Sequence, residues 1–600
     1  MALMLDATEI NRQLLHAQLS LPVNPGPLTL AYPKWIPGEH APTGPIDSLV
    51  GLKLSINGQP LTWRRDLVEL YLIHCDIPTG VSRLDITLDY VVPVETEGYS
   101  GGRSSTALLG LINWNQVLLY PTGYNTDDLT VEAKLRLPDG WQFGTALPVV
   151  EHAQTIRFQP VSLTTLVDSP VVTGKYYRNV KLAESAPTNE MDIVADSSGA
   201  LALPDEKIAQ YRRLVTEAAA LFGATHYLHY HFLVALSENI FHDGIEHHES
   251  SLNTMNENGF TDKDLLATES DLLPHEFVHS WNGKYRRPVS LTTPDFQKPM
   301  LDDMLWVYEG LTEYLGSCVL TARSGLRSAD LSREWLAELA AQLAHRSGRT
   351  WRSLQDTADY ASRLYASPHE WADRRREVDF YAEGVLLWLE ADTLIRQRTG
   401  GASSLDDFCH LFHGGQSGAP AVKTYTFDEV VSDLNQVCPL DWQSFWTERL
   451  NSHSPQPPLA GIAAGGWKLT YTDQPNEITK VHDKREKEID ERYSIGLIVK
   501  EDSTLVDVLA GTPADAAKLA PAMKIVAVNS RTFTPEKLQQ AIRETTQTGG
   551  IDLLVNSSDY YQTLHVEYGG GLRYPHLERD SAKPDLISEI LKPHAAADGK

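Results

Sequence analysis

Within DLLPHEFVHSWNGKYRRP, residues 271 to 288, two histidines stand four apart with a glutamate beside the first. On a helix, positions i and i+4 lie one above the other, so His275 and His279 present imidazoles to one point. Two neutral imidazole nitrogens are good ligands for Zn²⁺, each at about 2.0 Å. Glu276 sits one position round, next to that point yet unable to chelate beside His275, where a general base for a metal-activated water belongs. The metal would bring the pKa of such a water from about 15.7 to about 7, and the carboxylate would take its proton as hydroxide attacks a carbonyl. The competing reading is a half-exposed helix whose histidines hydrogen-bond locally. Pro274 lacks a backbone donor and disfavours helix before it, so the helix either starts or kinks there.

A catalytic zinc takes three protein ligands and keeps one open position. DDMLWVYEGLTEYLG, residues 302 to 316, places Glu309 and Glu313 on one helical face among apolar and aromatic residues. Carboxylates in such a setting are costly unless paired or bound to metal. Either can ligate, and the other then lies one turn away, fit to orient a histidine through a hydrogen bond. Spacing alone does not choose between them.

The elements that must position these groups are spread over 600 residues, more than one core usually serves, so three or four domains are expected. Hydrophobic content of 42% and charged content of 22% are ordinary for a globular chain. A formal net charge of −27 argues against nucleic acid and anionic membrane surfaces as partners. No run of about 18 apolar residues exists to span a bilayer, and the N-terminus lacks the basic-then-apolar layout of a signal peptide. Cys75, Cys318, Cys409 and Cys438 are widely spaced without a CxxC pair. Buried free thiols are expected, with a Cys409–Cys438 disulfide as the alternative.

Residues 1 to 170 read as strands in an antiparallel β-sandwich, with a hairpin turn at Asn57-Gly58. From about 205 the apolar period becomes helical, DEKIAQYRRLVTEAAALFG stopping at Gly223. HYLHYHFLVAL alternates like a strand, and long helical patterns fill 262 to 450. NSHSPQPPLAGIAAGGW, 451 to 467, is a linker candidate, and KVHDKREKEIDERY, 480 to 493, reads as a solvated loop or helix face. The fold class expected is multidomain α+β.

HEFVHSWNGKYRRP followed by LWVYEGLTEYLG resembles the glycyl-aminopeptidase family of zinc metallopeptidases, thermolysin-like (gluzincin) enzymes carrying a C-terminal PDZ domain. PKWIPGEH is similar to a W-x-P-G segment of the family's N-terminal β domain, and FYAEGVLLWLEADTLIRQRTGGASSLDDF to its later helical stretch. The resemblance implies an N-terminal β-sandwich over 1–170, a catalytic domain over 171–455, a PDZ-like domain over 465–568 and a tail over 569–600. It implies one Zn²⁺ per chain, with Glu309 as third ligand and Glu313 as the residue that orients a histidine. By the same resemblance Tyr381 of FYAEG stabilises the tetrahedral oxyanion. Gly244 and Glu246 of DGIEHHESS match the motif with which related aminopeptidases hold a substrate's free amino group. His242, His247 and His248 are a weaker candidate for a second metal site. Gly496 of YSIGLIV stands where a PDZ loop binds a terminal carboxylate, although Met523-Lys524 replaces the usual Gly-Asp, and internal packing is an equal reading. The implied activity is removal of N-terminal residues, glycine or other small ones, from peptides. Alternatives are an endopeptidase of the same fold, or a PDZ-bearing peptide-binding protein with non-catalytic zinc. A periplasmic or secreted location is implied by the resemblance alone.

Overall fold

The computed structural model describes residues 1–95 and 101–595. Internal packing divides the chain into two compact units. One comprises 1–262, 272–302 and 413–426; the other comprises 263–271, 303–412 and 427–600.

The first unit opens as a β-rich region. A nine-stranded sheet runs through Ala2–Asp6, Leu14–Pro22 and Arg83–Val91, and a four-stranded sheet through Gly26–Ala31 and Leu72–Ile77. Alternate residues of both sheets, among them Leu5, Leu19, Leu88, Leu30 and Ile73, meet in one apolar core, the packing that the period of two anticipates. Asn57 (φ 49°) and Gly58 (φ 76°) form the expected two-residue turn, joining strands paired at Ile56 and Gln59.

A five-stranded sheet follows in the order Tyr176–Ala183, Thr188–Ala195, His229–Leu236, Ser250–Met255 and Gly244–Glu246. His229–Leu236 is parallel to both neighbours, and its last five residues are all buried, as suits a central strand covered on both faces. Helix Asp205–Phe222 ends at Gly223 in the left-handed conformation (φ 71°), as its sequence predicts. Edge strand Gly244–Glu246 runs antiparallel to Ser250–Met255.

The second unit is mainly helical, and its centre is a tryptophan cluster. Trp306, Trp388 and Trp446 are buried, with ring centroids 4.5 to 6.0 Å apart, and Trp388 Nε1 donates to Trp306 O at 2.9 Å. These rings join the helical run Leu305–Arg323 to helix Ala382–Thr399. The same two helices touch through glycines: a Cβ on Gly384 would lie 2.5 Å from Gly310 Cα, and one on Gly310 would lie 2.7 Å from Phe380 O. No other residue fits at that approach. Around Glu309 the run is irregular, with α-helical turns on either side and a π-helical stretch over Glu313–Leu320, a feature frequent at functional sites.

Residues 488–567 form a β module with its own core, including Leu497, Val499, Leu538, Ile551 and Val566. One expectation is corrected here. The linker candidate contains helix Ala460–Ala464, packed so closely that a Cβ on Gly461 would lie 2.6 Å from Glu390 N. The charged run 480–493 starts on the largely exposed helix Glu477–Glu486, as expected, and continues into strand Glu488–Glu491, where Glu491 is fully buried with its carboxyl pushed up to about 7 by burial. The tail supplies strand Tyr574–Arg579, antiparallel to Trp467–Thr472. All four cysteines are free and buried. Among the described residues no helix is long and apolar enough to cross a membrane.

The glycine contact yields a test. Gly384→Ala should destabilise the protein by about 1–3 kcal/mol through overpacking, read by denaturant unfolding; an unchanged midpoint would contradict this packing.

Candidate active site

Helix Leu272–Val278 carries His275 and Glu276, and His279 follows it in the next turn with its amide bonded to His275 O at 3.4 Å. Pro274 falls in the first turn, where a missing N–H costs nothing, so it starts the helix rather than kinking it. The imidazoles converge as the spacing predicts, with Nε2 atoms 3.1 Å apart. All three residues are buried, which excludes the half-exposed helix.

Residues after the pentapeptide hold it in place. Phe277 packs its ring against Tyr230 and Phe232, and Trp281 stacks on Phe222 at 4.5 Å while Nε1 donates to Ala224 O at 2.6 Å. Asn282 O lies 2.9 Å from His279 Nδ1, fixing that nitrogen as the donor and leaving the Nε2 lone pair for a ligand. Asn282 Oδ1 in turn meets His413 Nε2 at 3.2 Å. Buried Lys284 donates to Asp168 at 2.9 Å. Burial opposes charge on Asp168, but Lys284 and His247 outweigh it and hold the carboxyl well below its ordinary range. Arg286 lies over the Tyr425 ring at 5.5 Å. Trp281, Asn282, Lys284 and Arg286 thus brace the histidine turn or its surroundings.

In the first unit the buried ligand atoms of Glu246, Glu276 and His279 lie within 4.8 Å of one another, and in the second unit Glu309 is buried in the helical run. Two imidazole nitrogens and one carboxylate oxygen are a donor set that suits Zn²⁺, so the residues fit the metal their pattern implies. Glu313 is held by Ser317 Oγ at 2.8 Å. Tyr381 stands at the start of helix Ala382–Thr399, its hydroxyl 3.1 Å from that of Tyr365. His242, His247 and His248 form no ligand group among the described residues. His242 bonds Ser237 O, His247 bonds Asp168, and burial pushes His248 down to about 3.

Glycines let the carboxylates sit where they do. A Cβ on Gly244 would lie 2.2 Å from Glu276 Oε1, and one on Gly38 (φ 93°) would lie 2.6 Å from Glu246 Oε2. Gly38 belongs to PKWIPGEH, the stretch that sequence reasoning matched without giving it a role. Nearby, Glu39 is buried and bonded by Thr43, and His40 Nδ1 is 3.5 Å from Asp302. Asp243, the first residue of DGIEHHESS, has no role in the sequence reading. Burial, with Glu39 and Glu246 adding to it, pushes its carboxyl up to about 8 against the opposing hydrogen bond from Gly244 N–H.

Comparison with known proteins fixes the class. Residues 268–387 match the M61 glycyl aminopeptidase model and residues 2–175 match the model of the M61 N-terminal domain. The chain is a metallopeptidase. In fold it is similar to an aminopeptidase N family protein from Idiomarina loihiensis, at TM-score 0.80 and 18% identity, covering 99% of this chain and 100% of that one. An M1 zinc metallopeptidase from Deinococcus radiodurans aligns at TM-score 0.47 and 15% identity, over 76% of this chain and 95% of that one. No curated protein matches the chain.

Two outcomes test this geometry. Gly244→Ala should displace the Glu276 carboxylate and lower kcat by about 10²-fold, the scale of a misplaced catalytic group, with the fold retained by circular dichroism. Asp243, its pKa raised on folding, favours the fold fully below its unfolded value near 4, and that contribution is lost as pH rises through about 8. Asp243→Asn should therefore flatten the fall in unfolding free energy between pH 5 and 8; an identical slope in both proteins would contradict it.

Proposed function

We propose that this metallopeptidase is a zinc-dependent aminopeptidase that removes single residues from peptide N-termini. His275, His279 and Glu309 hold one Zn²⁺, and Glu313 orients the ligand set through its hydrogen bonds. A preference for glycine or another small residue is what the family's name suggests. We read the fold as the thermolysin-like type and the module built on the 489–574 core as PDZ-like.

The observation that carries the exopeptidase reading is the distance from Glu246 to Glu276 and His279, whose ligand atoms fall within 4.8 Å of one another. In a peptide, one Cα separates the N-terminal nitrogen from the first carbonyl carbon, about 2.5 Å across. An α-ammonium paired with Glu246 therefore leaves its own carbonyl, not a later one, beside Glu276.

Bound zinc supplies a Lewis acid that polarises the carbonyl and acidifies the attacking water. The Glu276 carboxylate accepts a proton from that water as its oxygen bonds to the carbonyl carbon. Tyr381 donates its O–H to the oxygen on which negative charge develops. Glu276 then returns the proton to the leaving nitrogen as the C–N bond breaks, releasing one amino acid and a shortened peptide.

Glu276→Gln should keep one zinc per chain and lower kcat by about 10³–10⁴-fold; zinc retained with undiminished turnover would remove Glu276 as the base. A peptide with a free amine should be cleaved at least about 10²-fold faster than its N-acetylated twin, because acetylation abolishes the charge that Glu246 pairs. Equal rates would favour an endopeptidase.

A further inference from the structure

The C-terminal β module does not offer the surface its sequence suggests. Strand Leu497–Lys500, which follows Gly496, is paired with Glu488–Glu491 on one edge and Leu505–Val508 on the other. Gly496 N–H donates to Glu491 O at 3.0 Å, its carbonyl accepts from Leu509 N at 2.9 Å, and a Cβ there would lie 1.9 Å from Thr512 Oγ1. Strand addition needs a free edge and carboxylate capture needs free amides. Both are taken up within the module.

The module instead grips a segment of the same unit. Residues 371–376 form a short strap: one helical turn, Ala372–Arg375, between Trp371 (φ 58°) and Arg376 (φ 61°). Left-handed conformations at non-glycine residues persist only where surroundings enforce them. At the first end, the Trp371 ring packs on the module's core, and the backbone N–H of Trp371 donates to buried Asp507 at 2.8 Å. Asp373 accepts from Ala510 N at 3.0 Å and Ser347 Oγ at 2.8 Å, and Arg374 reaches Asp515 at 2.8 Å.

At the other end, fully buried Arg376 bonds Asp379 at 3.1 Å and also Glu383, while Arg346 and Arg349 pair with the same two carboxylates. Asp379 and Glu383 bracket Tyr381 by two residues on each side. An Asp507–strap–Arg376 chain of bonds thus runs from the module to the turn that presents the tyrosine hydroxyl.

The geometry points to an internal clamp: the C-terminal module holds the 371–376 strap, with Asp507 and Trp371 as positioning residues that set Tyr381. This inference rests on Tyr381 acting as the oxyanion donor. Asp507→Ala, Tyr381→Phe and the double variant of the full chain, assayed on an aminoacyl p-nitroanilide with zinc content measured, test it. Asp507→Ala should lower kcat about tenfold with KM and zinc content unchanged, and Asp507→Asn, which keeps an acceptor for Trp371 N–H, should recover most of the loss. In the Tyr381→Phe background, Asp507→Ala should change kcat less than twofold, because coupled residues are not additive. The same tenfold loss in both backgrounds, or a wild-type kcat for Asp507→Ala beside a crippled Tyr381→Phe, overturns the clamp alone. Wild-type kcat for Tyr381→Phe overturns the tyrosine's assignment and the clamp with it. If Asp507→Ala does not fold, Trp371→Ala is judged by the same criteria.

Discussion

Burying carboxylates and imidazoles together is the constraint on which the rest of this structure turns. Glu246, Glu276, Glu309, His275 and His279 are each no more than 9% exposed. Removing a carboxylate from water costs several kcal/mol unless positive charge or hydrogen bonds replace the hydration. In the function proposed above, a divalent cation between the imidazoles and one carboxylate, and a substrate ammonium against another, would supply that charge. Asp243, pushed up to about 8, shows the same pressure acting on a carboxyl that has only a backbone N–H to offset it.

Glycines answer the steric half of that constraint. Gly38 and Gly244 let backbone lie against Glu246 and Glu276, and Gly310 with Gly384 lets two helices meet at backbone distance. All four belong to stretches that the sequence analysis picks out, PKWIPGEH, DGIEHHESS, EGLTEY and FYAEG. Their pattern is set by close approach as much as by chemistry. The long block after His279 likewise reads as bracing: Trp281, Asn282 and Lys284 tie the turn to Ala224, His413 and Asp168.

What the sequence disclosed was local in origin. The Asn57-Gly58 turn, the helix stopping at Gly223 and the i, i+4 histidines are each encoded within a few residues, and each holds in the structure. Long-range features were hidden. Nothing near PGEH announces that Gly38 meets Glu246, and nothing near Asp507 announces Trp371. The linker reading of 451–467 failed because its small residues serve close packing on Glu390, not flexibility. The charged run 480–493 reads correctly as a solvated helix face up to Glu486, but its end turns inward, where Glu491 finds Ser494 and Tyr574 as buried hydrogen-bond donors. Composition cannot foresee such partners.

The most direct test of the account is X-ray absorption at the zinc edge of the purified enzyme. Two imidazole nitrogens and one carboxylate oxygen at about 2.0–2.2 Å, with one further light scatterer from solvent and no sulfur, are what these buried side chains predict. A sulfur shell, a closed set of four protein ligands, or a protein that binds no zinc would contradict it.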